Sequence, residues 1–182
     1  GLAKDLLYPL LPWFREINFH GPLQVTAMYH EKKWYVLEFN IRLGVTSGPL
    51  ILRMLKNPIQ VMDQVVNNQD VTIALNGEHR FGCSLTLAGY GYPYTQLDPP
   101  RLPVQIMESF DCDVWWNEVD QDIKGKLATS GQGANRIVDV TATGHTVEEA
   151  IETAYRNIKK IECPGSYYRT DIGKTLWPPV YD

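Results

Sequence analysis

The sequence predicts an α+β fold, and three features carry that expectation. Two alternating strands flank a polar tip and form a hairpin over residues 22–41. Short strands separated by Gly- and Pro-rich loops follow beyond residue 70. One well-capped amphipathic helix begins at Thr146. Strands in runs, with helices set apart from them rather than alternating regularly, point to antiparallel sheets with helices packed on them.

The elements follow in order. Leu2 to about Ile17 reads as helical, but Pro9 and Pro12 break or kink it, because proline lacks the N–H that a helix interior uses. His20-Gly21 ends this segment. Pro22 to Tyr29 places Leu23, Val25 and Ala27 on one side, and His30-Glu31-Lys32-Lys33 turns the chain into a partner strand from Trp34 to Ile41. Asn57-Pro58 predicts a helix start, with Asn as N-cap and Pro at the first position. Ile59, Met62, Val65 and Val66 then follow at helical spacing up to Asn67-Asn68. Strands are expected at Val71 to Leu75, Cys83 to Ala88, Val104 to Met107, Val114 to Trp116 and Ile137 to Thr143. Thr146 and Glu149 make a capping box, and Val147, Ala150, Ile151, Ala154, Ile158 and Ile161 form an apolar stripe that Pro164-Gly165 stops. A boundary near residues 65–70 separates a hairpin-plus-helix unit from a strand-rich one.

Composition limits the class. The chain has 182 residues, 44% hydrophobic residues and a net charge of −4, which fits a globular protein better than a nucleic-acid binder. No apolar run approaches the roughly 18 residues of a membrane span, so no membrane partner is expected. No leader with a small-residue cleavage site stands at the start. Cys83, Cys112 and Cys163 lack CxxC spacing, and free thiols in a reducing cytoplasm are expected, with core packing as their role. The chain opens at Gly1 without Met and enters a helical segment at once, which reads as a piece of something longer.

The segment Leu37-Glu38-Phe39-Asn40-Ile41-Arg42-Leu43-Gly44 holds the most chemistry. Residues two apart share a strand face, so Glu38, Asn40 and Arg42 line up opposite Leu37, Phe39 and Ile41. Carboxylate and amide oxygens are the hard ligands that Mg²⁺ takes beside nucleotide phosphates, and a guanidinium suits phosphate or carboxylate oxygens. On spacing alone, the solvated face of an ordinary amphipathic strand is the simpler reading.

This octapeptide resembles the Leu-Glu-Phe-Asn-x-Arg-Phe-Gly segment of the phosphoribosylamine–glycine ligase (glycinamide ribonucleotide synthetase) family, ATP-grasp enzymes of purine synthesis. Further stretches are similar in the same order. Leu52-Arg53-Met54 with Asn57-Pro58 matches the helix after the motif, and Ala88-Gly89-Tyr90-Gly91-Tyr92-Pro93 looks like the family's Gly-Tyr-Pro turn. Val140-Thr141-Ala142-Thr143-Gly144-His145-Thr146-Val147-Glu148-Glu149-Ala150 is close to its Val-Thr-Ala-x-Gly-x-Thr-x-x-Glu-Ala run. Ala154-Tyr155 and Tyr168-Arg169-Thr170-Asp171-Ile172-Gly173 resemble its ending. With these in register, the metal-site reading of Glu38 and Asn40 moves ahead of the solvated-face one.

The resemblance implies the C-terminal part of an ATP-grasp lobe over residues 1–65, followed by the family's small α+β C-terminal domain over residues 66–182. It implies a carbon–nitrogen ligase that transfers the ATP γ-phosphoryl group to a carboxylate and lets an amine displace phosphate from the acyl phosphate. Mg²⁺ (or Mn²⁺) would be held by Glu38 and Asn40. Arg42, the catalytic candidate, would lie against ATP phosphate or substrate carboxylate. The implied partners are small carboxylate and amine substrates and an upstream ATP-grasp portion of the same protein. The chain contains neither the phosphate-covering loop nor a Walker-type substitute, so by itself it is expected to be inactive.

The departures are also informative. The family's Asp-Pro-Glu-Thr-Gln after Arg-Phe-Gly is replaced by Val45-Thr46-Ser47-Gly48-Pro49, and its Phe-His-Ala-Gly-Thr by Trp115-Trp116-Asn117-Glu118-Val119. Its Gly-Gly-Arg-Val turn becomes Gln132-Gly133-Ala134-Asn135-Arg136-Ile137. Loss of both loop carboxylates puts glycine and phosphoribosylamine in question more than ATP and Mg²⁺. It also motivates an alternative, a non-catalytic relative serving as a binding or assembly module. Sequence patterns do not fix the oligomeric state. The four histidines show no paired-ligand spacing, and Ser84 and Ser130 lack a GxSxG elbow. The acidic cluster of Asp111, Asp113, Glu118, Asp120 and Asp122 reads as a solvated loop, and Tyr90, Tyr92 and Tyr94 as packing.

Overall fold

In the computed structural model, residues 1–94, 97–131, 133 and 135–174 are described. The fold is α+β, and every strand pair is antiparallel. The opening helical segment is broken as its prolines dictate, into α1 (Leu2–Leu6), a 3₁₀ turn (Tyr8–Leu10) and α2 (Leu11–Glu16). Pro9 and Pro12 each sit in the first turn of the new piece, where a missing N–H costs nothing.

Strands β1 (Gln24–His30) and β2 (Lys33–Asn40) form the expected hairpin. Its turn residues Glu31 and Lys32 both have positive φ, 47° and 62°, the sign pattern that follows the right-handed twist of paired strands. Helix α3 (Ser47–Met54) and helix α4 (Pro58–Val66) come next. From the sequence no element is expected over residues 47–51, which form the first part of α3. Asn57 does not cap α4 with its side chain. Its amide donates to Thr72 O (2.8 Å) and its Oδ1 accepts from Ala74 N (3.0 Å), while Gln64 Oε1 accepts from Thr72 N (3.0 Å). With those backbone groups satisfied by side chains, the strand expected at Val71 to Leu75 does not form, and a single bridge, Leu55 to Leu75, remains.

The rest of the described chain builds two sheets. Strand β8 (Arg136–Gly144) lies between β3 (Phe81–Ala88) and β5 (Asp113–Trp116). The second sheet runs β6 (Val119–Gln121), β7 (Leu127–Thr129), β4 (Pro103–Ile106) and β9 (Ile161–Glu162). Helix α5 (Val147–Ile158) carries the predicted cap, with Thr146 Oγ1 accepting from Glu149 N at 3.1 Å. The return bond comes from His145 N to Glu149 Oε2 at 2.8 Å, one residue earlier than the reciprocal box requires. The helix also stops before Ile161, which pairs with Ile106 as part of β9.

The main sheet has two unlike faces. Cys83, Leu85, Leu87, Val138, Val140 and Ala142 pack against Ala150, Ala154 and Ile158 of α5 in the core. Ser84, Thr86, Asp139 and Thr141 face the other way. Helix α3 covers part of that polar face, with Leu50 seated where Gly82 leaves room for it. No helix among the described residues is long and apolar enough to cross a membrane. The three cysteines are free, and burial pushes the Cys83 and Cys163 thiols up, with Cys112 raised to about 11, so packing is what they do here.

The acidic cluster separates into individually partnered carboxylates. Asp113 pairs with Arg53 (3.2 Å), Asp120 with Arg101 (2.8 Å) and Asp111 with Arg156 (2.6 Å). Asp122 accepts from Lys124 N and Lys126 N, and Glu118 from Asn135 N (2.6 Å). The Arg156 guanidinium, with the Asn157 side chain, holds the Asp111 carboxyl down at about 2. A carboxyl depressed in the folded state stabilises above its unfolded value near 4 and loses that contribution as pH falls through about 2. Arg156→Ala is expected to return Asp111 toward the ordinary carboxylate range, read by NMR titration of its side-chain carbon. A midpoint still near 2 would refute the assignment to Arg156.

Candidate functional site

The polar face of β2, the loop after it and the polar face of the main sheet meet at a cavity of about 450 Å³. Glu38, Asn40 and Arg42 all line it, so the alternation read from the sequence brings the three candidates to one place. Strand β2 ends at Asn40, and Arg42 follows in the loop rather than within the strand. Across the hairpin, Gln24 pairs with Asn40 and Thr26 with Glu38. Thr26 donates its hydroxyl to Glu38 Oε1 at 3.3 Å, and Gln24 joins the cavity wall. Arg42 donates to Leu43 O at 3.1 Å, with the rest of its exposed guanidinium available to a ligand.

Gly44 also lines the cavity. A Cβ there would collide with Ser47 Oγ and Gln24 Oε1, so the backbone must lack one for these polar groups to approach. The loop carries on into α3, with Gly48 N bonded to Gly44 O at 2.7 Å. Thr46 Oγ1 reaches across to the main sheet, donating to Asp139 Oδ1 at 3.3 Å. Asp139 is itself 1% exposed, and it also accepts from Thr86 Oγ1 and from Asn117 Nδ2 (3.0 Å).

Sequence reasoning missed the residues that the main sheet contributes. Ser84 and Arg136 line the cavity opposite the hairpin. Arg136 is half-buried, its guanidinium lies 6.0 Å from the Tyr92 ring centroid, and Nη2 approaches Tyr92 Oη at 3.4 Å. Its Nε is buried and has no acceptor among the described residues. The one available signal was its place in the turn that departs from the family's Gly-Gly-Arg-Val, of which Gln132 and Ala134 lie outside the described residues. Of the three tyrosines read as packing, Tyr92 is engaged through Arg136 and through its carbonyl to Tyr167 Oη (2.7 Å), and Tyr90 through its carbonyl, which accepts from Asn135 Nδ2 (2.7 Å). Tyr90 and Tyr94 are exposed.

The donor set is one carboxylate with amide and hydroxyl oxygens from Glu38, Asn40, Gln24 and Ser47. Such oxygens fit a hard divalent cation that takes its remaining ligands from phosphates and water. Among the described residues no three His, Cys, Asp or Glu side chains cluster as a self-sufficient metal cage. A cation at Glu38 and Asn40 would therefore share its shell with an anionic ligand, and Arg42 and Arg136 are placed to receive that ligand's charge.

Comparison with known proteins agrees with this architecture. The family "Phosphoribosylglycinamide synthetase, C domain" matches residues 82–175, just over half of the chain. The phosphoribosylamine–glycine ligase of Fusobacterium nucleatum is 28% identical over 184 residues, covering 97% of this chain and 42% of its own length. That of Caldanaerobacter subterraneus is 31% identical over 174 residues, covering 94% of this chain and 40% of its own length. The crystal structure of phosphoribosylamine–glycine ligase from Thermotoga maritima superposes with a TM-score of 0.63 at 26% identity, over 82% of this chain and 36% of that one. The chain thus spans about two fifths of the relatives it resembles, and it belongs to the phosphoribosylglycinamide synthetase family, with that family's C domain over residues 82–175.

Proposed function

We propose that this chain forms the metal end and acceptor wall of an ATP-dependent carboxylate–amine ligase. The supporting observation is the convergence of Glu38, Asn40 and Arg42 from the hairpin with Ser84 and Arg136 from the main sheet on one cavity. In the proposed reaction a carboxylate oxygen attacks the γ-phosphorus of ATP, and ADP leaves. The amine lone pair then attacks the acyl carbon, phosphate leaves with the bonding pair, and the amine gives up a proton. Mg²⁺ held by Glu38 and Asn40 would offset phosphate charge while both steps proceed. Arg42 orients an oxyanion, and Arg136 faces it from the other wall.

The remaining ATP-grasp machinery is assigned to another portion of the same protein. Leu37, Phe39 and Ile41, on the hairpin face away from the cavity, are 60%, 44% and 74% exposed, an apolar surface suited to burial against that portion. A reducing cytoplasm is the proposed compartment, in keeping with three unpaired thiols. The family's usual glycine and phosphoribosylamine are not carried over, because Val45, Thr46 and Ser47 line the cavity without a carboxylate.

The test is calorimetric titration of Mg·ATP into the full-length protein. Glu38→Ala and Asn40→Ala are each expected to weaken binding by about 10–100-fold, at least the loss seen when groups behind a metal ligand are removed. Unchanged affinity in both variants would overturn the reading. The carboxylate-free loop favours a second reading, a non-catalytic binding module. ADP release that depends on an added acid and amine would exclude it.

A further inference from the structure

We propose that the carboxylic acid bound by this protein carries a ring or bulky apolar body, with its carboxylate on Arg136 and its body in a second cavity beside the first. The inference rests on the ligase reading for the acid's role, but the site itself stands on separate observations. The second cavity, about 280 Å³, shares Thr46 and Ser84 with the one already described. Besides those hydroxyls and that of Thr86, its walls are Leu85, Ala88, Tyr92, Tyr167, Tyr168 and Ile172, with Arg169 also lining it. A cavity of about 150 Å³ is enough for benzene, so a six-membered ring fits and an acid the size of glycine would leave the space unfilled.

Charge decides which end points where. The first cavity has one carboxylate, Glu38, and two guanidiniums, Arg42 and Arg136. With Glu38 assigned to a cation, that wall favours a carboxylate over an amine. Arg136 stands at the junction, lining the first cavity while its guanidinium contacts Tyr92 of the second, and its buried Nε lacks an acceptor among the described residues. Arg169, on the second cavity's rim, already forms a two-pronged bond to Asp171 (2.9 and 2.6 Å). Apart from that exposed pair and the hydroxyls, the second cavity is lined by aromatic and aliphatic side chains.

The experiment titrates this 182-residue chain with phenylacetate, acetate and ribose 5-phosphate, without ATP or Mg²⁺, followed by amide NMR. Phenylacetate is expected to bind about tenfold more tightly than acetate, as burial of a ring implies, with shifts at Tyr92, Tyr167 and Tyr168. Arg136→Gln should weaken both acids and keep the preference. Tyr167→Ala should abolish the preference and leave acetate unchanged, since its backbone bonds to Ala88 (2.8 Å) hold the segment in place. Equal binding of the two acids, or tighter binding of ribose 5-phosphate, overturns the proposal even if Tyr167→Ala fails to fold. Because no nucleotide is present, this outcome is independent of the Glu38 and Asn40 titrations, and either reading can fail alone.

Discussion

Asp139→Ala is expected to lower folding stability by about 2–4 kcal/mol, read as a lower urea midpoint at unchanged slope. Asp139 is 1% exposed in the central strand β8, and no cation pairs with it among the described residues. Its oxygens accept from Thr86 on β3, from Asn117 after β5 and from Thr46 before α3. Truncation leaves the Asn117 amide without an acceptor and opens a small void. Thr46 and Thr86, whose hydroxyls lie 3.4 Å apart, can turn to each other, which limits the loss. Removing the whole polar side chain also removes its own desolvation cost, so the loss falls short of that for stranding an unpartnered group.

Asp139→Asn is the sharper control. Its oxygen can still accept from the threonines, but its NH₂ would face the Asn117 NH₂ unless one amide flips, at about 1–2 kcal/mol. The consequence reaches the cavity, because Thr46 is the loop residue that Asp139 holds. Faster amide exchange at Thr46 and Ser47 in Asp139→Ala is the accompanying result. An alanine variant within about 0.5 kcal/mol of the parent, or with unchanged exchange there, would show that the network holds nothing.

What could be read from the chain follows from what is local. The helix starting at Thr146 was legible because cap, stripe and stop all lie within twenty residues of one another, and its early end traces to Ile161 being claimed by β4. Glu38 and Asn40 were legible because strand alternation alone puts them on one side. Arg136 was not, since nothing in the sequence states that β8 pairs with β3 or that α3 lies across both. Asp139 was hidden for the same reason. Its three partners are 22, 53 and 93 residues away, and in sequence it reads only as a polar residue inside an apolar run. Val71 to Leu75 shows the converse error. Its composition suits a strand, but the side chains of Asn57 and Gln64 occupy the bonds that a neighbouring strand would have made.

Ile158→Ala is expected to cost about 3–5 kcal/mol. Ile158 is 0% exposed and sits at the end of α5, closing the apolar layer that Leu85, Leu87, Val138 and Val140 form on the main sheet. Part of the cost is the transfer of the lost carbons, and the rest is the void, because the backbone cannot collapse into it. Two residues on, the Lys160 ammonium is fixed to Ser109 O (2.7 Å) and Asn157 Oδ1 (3.1 Å), and Ile161 is held in β9 by pairing with Ile106. For a chain of this length the change corresponds to a melting temperature lower by roughly 10 °C. Ile158→Val, which keeps the branched shape, should lose only about 1 kcal/mol. Ile59→Ala, at a position 75% exposed on α4, should lose almost nothing. If Ile158→Ala and Ile59→Ala fell by similar amounts, α5 would not be the element that seals the core, and the division of the main sheet into an apolar face under α5 and a polar face under α3 would be wrong.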